Sequence, residues 1–167
     1  KGHRITVPEP QRHPVEVWAH ASPDGIVVTP TETWGVELKT TDKWRGEDWG
    51  PKNSPIGDGV PAYYLVQVLW YMWIYDMDRW DVYVLIGGND DRQYTILRNE
   101  EVQKDIEWIV ARAKEWWMSY IVQDMEVPYT GTDADEKHFK ERFPWGGDDV
   151  VEATDQILGF VKSAAGL

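Results

Sequence analysis

Ser22-Pro23-Asp24-Gly25-Ile26-Val27-Val28 is followed, across a short polar link, by Gly35-Val36-Glu37-Leu38-Lys39-Thr40. Ser, Pro, Asp and Gly in succession are turn chemistry. The β-branched run Ile26-Val27-Val28 predicts a strand leaving that turn. Residues 15–21 alternate weakly and predict a strand entering it, so the two read as a hairpin. In the second run side chains alternate with period two. Glu37 and Lys39 then share one face of a strand, and Val36 and Leu38 share the other.

Residues 41–61 are polar and carry Gly46, Gly50, Pro51, Pro55, Gly57, Gly59 and Pro61. This predicts a long loop, and loops beyond ~12–15 residues are mostly functional or disordered. Residues 62–75 hold no breaker and are apolar nearly all round, which predicts a buried helix. Residues 80–86 and 94–98 flank Gly87-Gly88-Asn89-Asp90-Asp91, a hairpin signal. Asn99 reads as the N-cap of a helix from 100 to about 121, with acids in its first turn. The remainder is polar, with helical candidates at 136–142 and 150–163. The element order predicts an α/β (α+β) fold, a mixed central sheet flanked by helices. Residues 1–130 form the expected core and 131–167 a polar, helical C-terminal extension. The chain starts at Lys1, and a helix upstream of it is expected to be missing.

Among 167 residues, 17 are Lys or Arg and 29 are Asp or Glu, for a net charge of −12. The first 60 residues hold 7 basic and 9 acidic side chains and are the least acidic part. Acidity argues against nucleic-acid binding, because phosphate neutralisation drives that affinity. A local basic rim and a bound divalent cation reverse the sign at one site. The chain has no cysteine, which excludes disulfides, thiolate metal sites and a cysteine nucleophile. No apolar run approaches the ~20 residues that span a bilayer, so no membrane partner is expected.

Asp24 precedes Glu37 by thirteen positions, and Lys39 follows Glu37 by two. If their strands pair, two carboxylates and one ammonium converge at a sheet edge. Hard oxygen donors suit Mg²⁺, which takes one or two protein carboxylates and keeps several waters. The chemistry expected is phosphodiester hydrolysis by a metal-activated water. The plainer reading is a surface turn aspartate beside a Glu/Lys strand pair. Gln67 and Tyr71 stand four apart and face the same way on a helix. An amide in so apolar a helix needs a partner, since leaving it unpaired costs ~1–3 kcal/mol.

The runs 21–27 and 35–41, with Tyr64-Leu65-Val66-Gln67-Val68-Leu69-Trp70-Tyr71-Met72 and Trp80-Asp81-Val82-Tyr83-Val84-Leu85-Ile86-Gly87-Gly88-Asn89-Asp90, resemble the YqaJ-like viral recombinases. These belong to the lambda-exonuclease branch of the PD-(D/E)XK nucleases. The resemblance covers roughly residues 13–127. It implies a restriction-endonuclease-like core and a Mg²⁺-dependent exonuclease, with Mn²⁺ able to substitute. Asp24, Glu37 and the Leu38 carbonyl would hold the metal, Lys39 would position the water, and Gln67 and Tyr71 would support the site and the strand. It further implies 5′–3′ digestion of linear double-stranded DNA in phage-type recombination, a single-strand annealing partner (RecT- or Bet-like), a homo-oligomer such as a trimer, and a phage-encoded protein in the bacterial cytoplasm. Family members also carry an N-terminal helix with a further acidic ligand. Glu9 and Glu16 are the candidates here to replace it.

Lys43, Arg45 and Lys52 follow the Glu-x-Lys strand, and Arg92 follows the glycine turn. Each reads either as a DNA phosphate contact or as ordinary loop charge. Trp44 and Trp49 are candidates for base stacking, and His20 for support of the metal ligands. Two other functions remain open: a RecB-type or other PD-(D/E)XK nuclease, and a non-catalytic Trp-rich binding module.

Overall fold

The computed structural model describes residues 4–52, 59–128 and 130–142. The chain divides into two compact units, Lys1–Asp124 and Met125–Leu167. Strands β1 (Arg4–Thr6), β4 (Gly25–Val28), β5 (Thr33–Thr41), β6 (Arg79–Ile86) and β7 (Asp90–Leu97) form one sheet in the order β1-β4-β5-β6-β7. Only β5 and β6 run parallel, and α1 (Ala62–Tyr75) makes the crossover between them. β2 (Gln11–Arg12) and β3 (His20–Ala21) pair as a separate two-stranded ribbon. The result is the mixed α+β architecture the sequence predicts, consistent with a PD-(D/E)XK-like nuclease fold.

The expected hairpin over 15–28 does not form. Only His20 and Ala21 of its first arm are strand, and they pair with β2. The His13 ring nitrogen accepts the amides of Val15 and Glu16, and tight turns close Val17 onto Val15 and Ala19 onto Glu16. These local bonds take the backbone groups a strand would need. β4 pairs instead with β1 and β5, which places Gly25 opposite Val36 and Asp24 beside Glu37.

The helix over 62–75 forms as expected. Met77 N–H returns to Met72 O, and Asp76 closes the end in a left-handed conformation (φ 48°). That is the closure a C-terminal cap requires, and Arg98 braces it by bonding Met72 O and Asp76. Val68, Leu69, Met72 and Ile74 are buried, whereas Tyr63 is 57% and Val66 45% exposed, so α1 is buried on one side rather than all round. Gly87 and Gly88 turn β6 into β7 with successive positive φ angles. Asn99 Oδ1 accepts Val102 N–H and starts α2 (Glu100–Trp116), which continues as a π-helical turn over Trp117–Val122.

The core joins Val68 and Met72 of α1, Trp80, Val82, Val84 and Ile86 of β6, Tyr94 and Ile96 of β7, and Ile106 of α2. Gly35 makes room for Trp80, since a Cβ there would meet the indole ring at 2.2 Å. A smaller cluster of Val27, Trp34 and Val36 lies on the other sheet face. In the second unit, α3 (Asp133–Arg142) contains the helix expected over 136–142. The helix expected over 150–163 and part of the long loop, with Pro55 and Gly57, fall outside the described residues. None of the described helices is long and apolar enough to cross a membrane.

Candidate active site

β5 carries Glu37 and Lys39 on the face toward α1, and α1 carries Gln67 and Tyr71. Lys39 Nζ donates to Glu37 Oε1 at 2.5 Å and to Gln67 Oε1 at 3.0 Å. Gln67 Nε2 spends its two N–H groups on Glu37 Oε1 (3.0 Å) and the Tyr71 hydroxyl (2.9 Å). Tyr71 reaches the Ser22 carbonyl at 3.5 Å. Asp24 Oδ2 accepts the Leu38 amide at 2.7 Å. The turn before β4 is thereby tied to β5 directly and to α1 through Tyr71. The Lys39 ammonium also lies 4.6 Å from the Tyr64 ring centroid, a cation–π contact.

Glu37 is 3% exposed, and its Oε2 is buried without a hydrogen bond. Burial pushes the Glu37 carboxyl above its ordinary 4.5. The bond from Lys39 opposes that rise, and the charge of Asp24 adds to it. A buried carboxylate oxygen without a partner is costly unless a cation or donor comes to it. Asp24, Glu37 Oε2 and the Leu38 carbonyl are all hard oxygen donors, so they fit Mg²⁺ or Mn²⁺ by type. Among the described residues no group of three or more acids or histidines gathers as a metal site. Two carboxylates with water completing the shell satisfy magnesium's demands.

Other candidates stand elsewhere. Arg92 bonds Asp90 and the carbonyls of Gly46, Trp49 and Gly50. Its guanidinium is a brace for the loop rather than an open phosphate contact. Lys52 pairs with Asp91 on the surface. Lys43 and Arg45 are exposed on a 3₁₀ turn, Trp44–Asp48, and make no ion pair among the described residues. Trp49 is 3% exposed and packs on Tyr64 and Tyr94, which rules it out for stacking on a base. Trp44 is 89% exposed. Glu16 is spent on Trp18 and Lys114, Glu9 is exposed, and among the described residues no third acid gathers with Asp24 and Glu37. The His20 side chain is exposed, and its carbonyl accepts from Trp70.

Sequence reasoning missed the apolar groove beside the site. A cavity of about 520 Å³ between α1 and α2 is lined by Trp18, Val66, Gln67, Trp70, Ile109 and Trp116, among others. The signal was present in the amphipathic pattern of α2, but its partner face lies on α1, far away in sequence.

One solved structure similar to this chain is titled "Crystal structure of SSO0001". It shares 13% identity at a TM-score of 0.37, over 57% of this chain and 40% of that one. This chain therefore spans less than half the length of that relative. No curated protein matches it. The model of the YqaJ-like viral recombinase domain matches residues 7–78. That segment, similar to the YqaJ-like viral recombinase domain, contains Asp24, Glu37, Lys39, Gln67 and Tyr71.

Proposed function

We propose that the chain is a Mg²⁺-dependent deoxyribonuclease that digests linear double-stranded DNA from the 5′ end. On this reading it acts in phage-type recombination beside a single-strand annealing protein. The observation that carries the reading is the closed network of Glu37, Lys39 and Gln67 beside Asp24, with Glu37 Oε2 left unbonded. Asp24, Glu37 and the Leu38 carbonyl are the groups to hold the cation. When bound, it lowers the pKa of water and stabilises charge on the phosphoryl oxygens.

The chain's own residues do the rest. Lys39 brings a positive charge and three donors to the mouth of the acidic pair. Two of these donors are spent on Glu37 and Gln67, and the third is left for a water or a phosphate oxygen. Gln67 holds its amide so that Oε1 faces the ammonium and Nε2 faces the carboxylate, which keeps Lys39 from swinging away. Tyr71 fixes that amide from behind. The Trp-rich module reading predicts that Asp24 and Glu37 point apart. Here Asp24 Oδ2 accepts the amide of Leu38, the residue next to Glu37, at 2.7 Å, which favours a shared site.

The test is digestion of linear duplex DNA labelled at either 5′ or 3′ ends, with Mg²⁺, Mn²⁺ or EDTA, by the parent and by Lys39→Ala. Expected is a loss of at least about 10²-fold in Lys39→Ala, no cleavage in EDTA, and early release of the 5′ label. Equal rates for parent and variant overturn the mechanism.

A further inference from the structure

Trp44 is 89% exposed, with Lys43 before it and Arg45 after it. An indole that gives up burial so fully is expected in a mobile loop. This segment is anchored instead. Arg45 N–H donates to Asp42 Oδ1, Gly46 N–H to Lys43 O, and Trp49 N–H to Gly46 O. Arg92 bonds the carbonyls of Gly46, Trp49 and Gly50, and the Tyr94 hydroxyl bonds Gly50 O at 2.6 Å. Gly46 sits so close to β6 that a Cβ would meet Ile86 Cγ2 at 2.7 Å. Trp49, five positions beyond, is sunk in the core. The fold thus fixes a short turn by its backbone and holds one large aromatic ring in solvent between two cations.

We propose that Lys43, Trp44 and Arg45 form a rigid strand-binding knob, in which the Trp44 indole stacks on an unpaired nucleobase and the two cations contact the flanking phosphates. The inference rests on the nuclease reading of the neighbouring site and names how that site takes its strand. A stacked duplex offers a base face only at its end or in a single-stranded overhang, and base–aromatic stacking tolerates every base. The knob lies near the chemistry. Trp44 stands five positions after Lys39, at most ~17 Å of chain, or about five base steps at ~3.4 Å each. Asp42, Glu47 and Asp48 surround the knob, and Asp42 is held by the Arg45 amide.

The experiment is equilibrium binding in EDTA of end-labelled duplexes, blunt or with a four-nucleotide overhang, to the full chain, Trp44→Leu and Trp44→Phe. The parent is expected to bind the overhang more tightly than the blunt end. Trp44→Leu should lose about tenfold or more on the overhang, and Trp44→Phe should retain most of the affinity. Absence of parent binding, or parent-like affinity in Trp44→Leu, overturns the inference. Hydrolysis with Mg²⁺ is measured separately. Weakened binding in Trp44→Leu together with no metal-dependent cleavage by the parent leaves the knob standing and sinks the nuclease reading. Hydrolysis of a base-free phosphodiester, bis(p-nitrophenyl) phosphate, should be the same in Trp44→Leu as in the parent. An equal loss there marks a structural role and overturns the inference.

Discussion

Gln67 links both halves of the site, and its chemistry is constrained by what surrounds it. One amide oxygen accepts from Lys39, and one amide nitrogen donates to Glu37 and Tyr71. Leucine has the size for this position but none of these bonds. Gln67→Leu leaves the Lys39 ammonium and the Tyr71 hydroxyl short of partners in a partly buried place, at a cost of about 1–3 kcal/mol. The expected outcome is a lower melting temperature and a fall of tenfold or more in DNA cleavage rate at saturating substrate. Unchanged values of both remove Gln67 from the positioning role. At the same scale, the alternation of β5 placed Glu37 and Lys39 on one face in advance of any structure. Which face that was depended on Gln67, 28 to 30 positions on, and that Arg92 would turn inward depended on loop carbonyls 42 to 46 positions before it.

At the scale of elements, short-range chemistry is well behaved. Asn99 caps α2, Gly87 and Gly88 supply the positive φ angles of the β6–β7 turn, and Asp76 ends α1. α3 has a reciprocal cap of the same kind. Thr132 Oγ1 accepts the Asp135 amide while the Asp135 carboxylate accepts Thr132 N–H and both Thr130 donors. The Thr130 bonds hold the Asp135 pKa down from 3.8 to about 2. A carboxyl depressed in the folded state stabilises it fully above the unfolded value and loses that contribution as pH falls through the folded one. Helical ¹³Cα shifts over 133–142 should therefore hold at pH 5 and decline between pH 3.8 and about 2, and Asp135→Ala should show weaker shifts already at pH 5. Identical shifts in parent and variant at pH 5 contradict the cap. The strand expected over 15–21 fell short because the His13 ring competes for the same amides, a contest that periodicity does not register.

At the scale of the molecule, charge works against DNA binding everywhere except where the fold isolates a few cations. Lys52 and Arg92 are paired with acids, whereas Lys43 and Arg45 make no ion pair among the described residues and are the cations proposed to meet phosphate. Each neutralised phosphate contributes about 0.7–0.9 to the slope of log affinity against log salt. The double variant Lys43→Gln/Arg45→Gln is expected to flatten that slope by about 1.4–1.8, measured by anisotropy in EDTA. A slope equal to that of the parent places the phosphate contacts elsewhere.

Local chemistry written along the chain was enough for the crossover helix, the glycine turn, the α2 cap and the shared face of Glu37 and Lys39, because each depends on neighbours within a few positions. The partner of β4, the burial of Trp49 against the exposure of Trp44, and the bonds from Gln67 to Glu37 and Lys39 emerged only once the sheet closed. Those features are set by which distant surfaces pack together, and neither hydrophobic period nor turn propensity carries that long-range information.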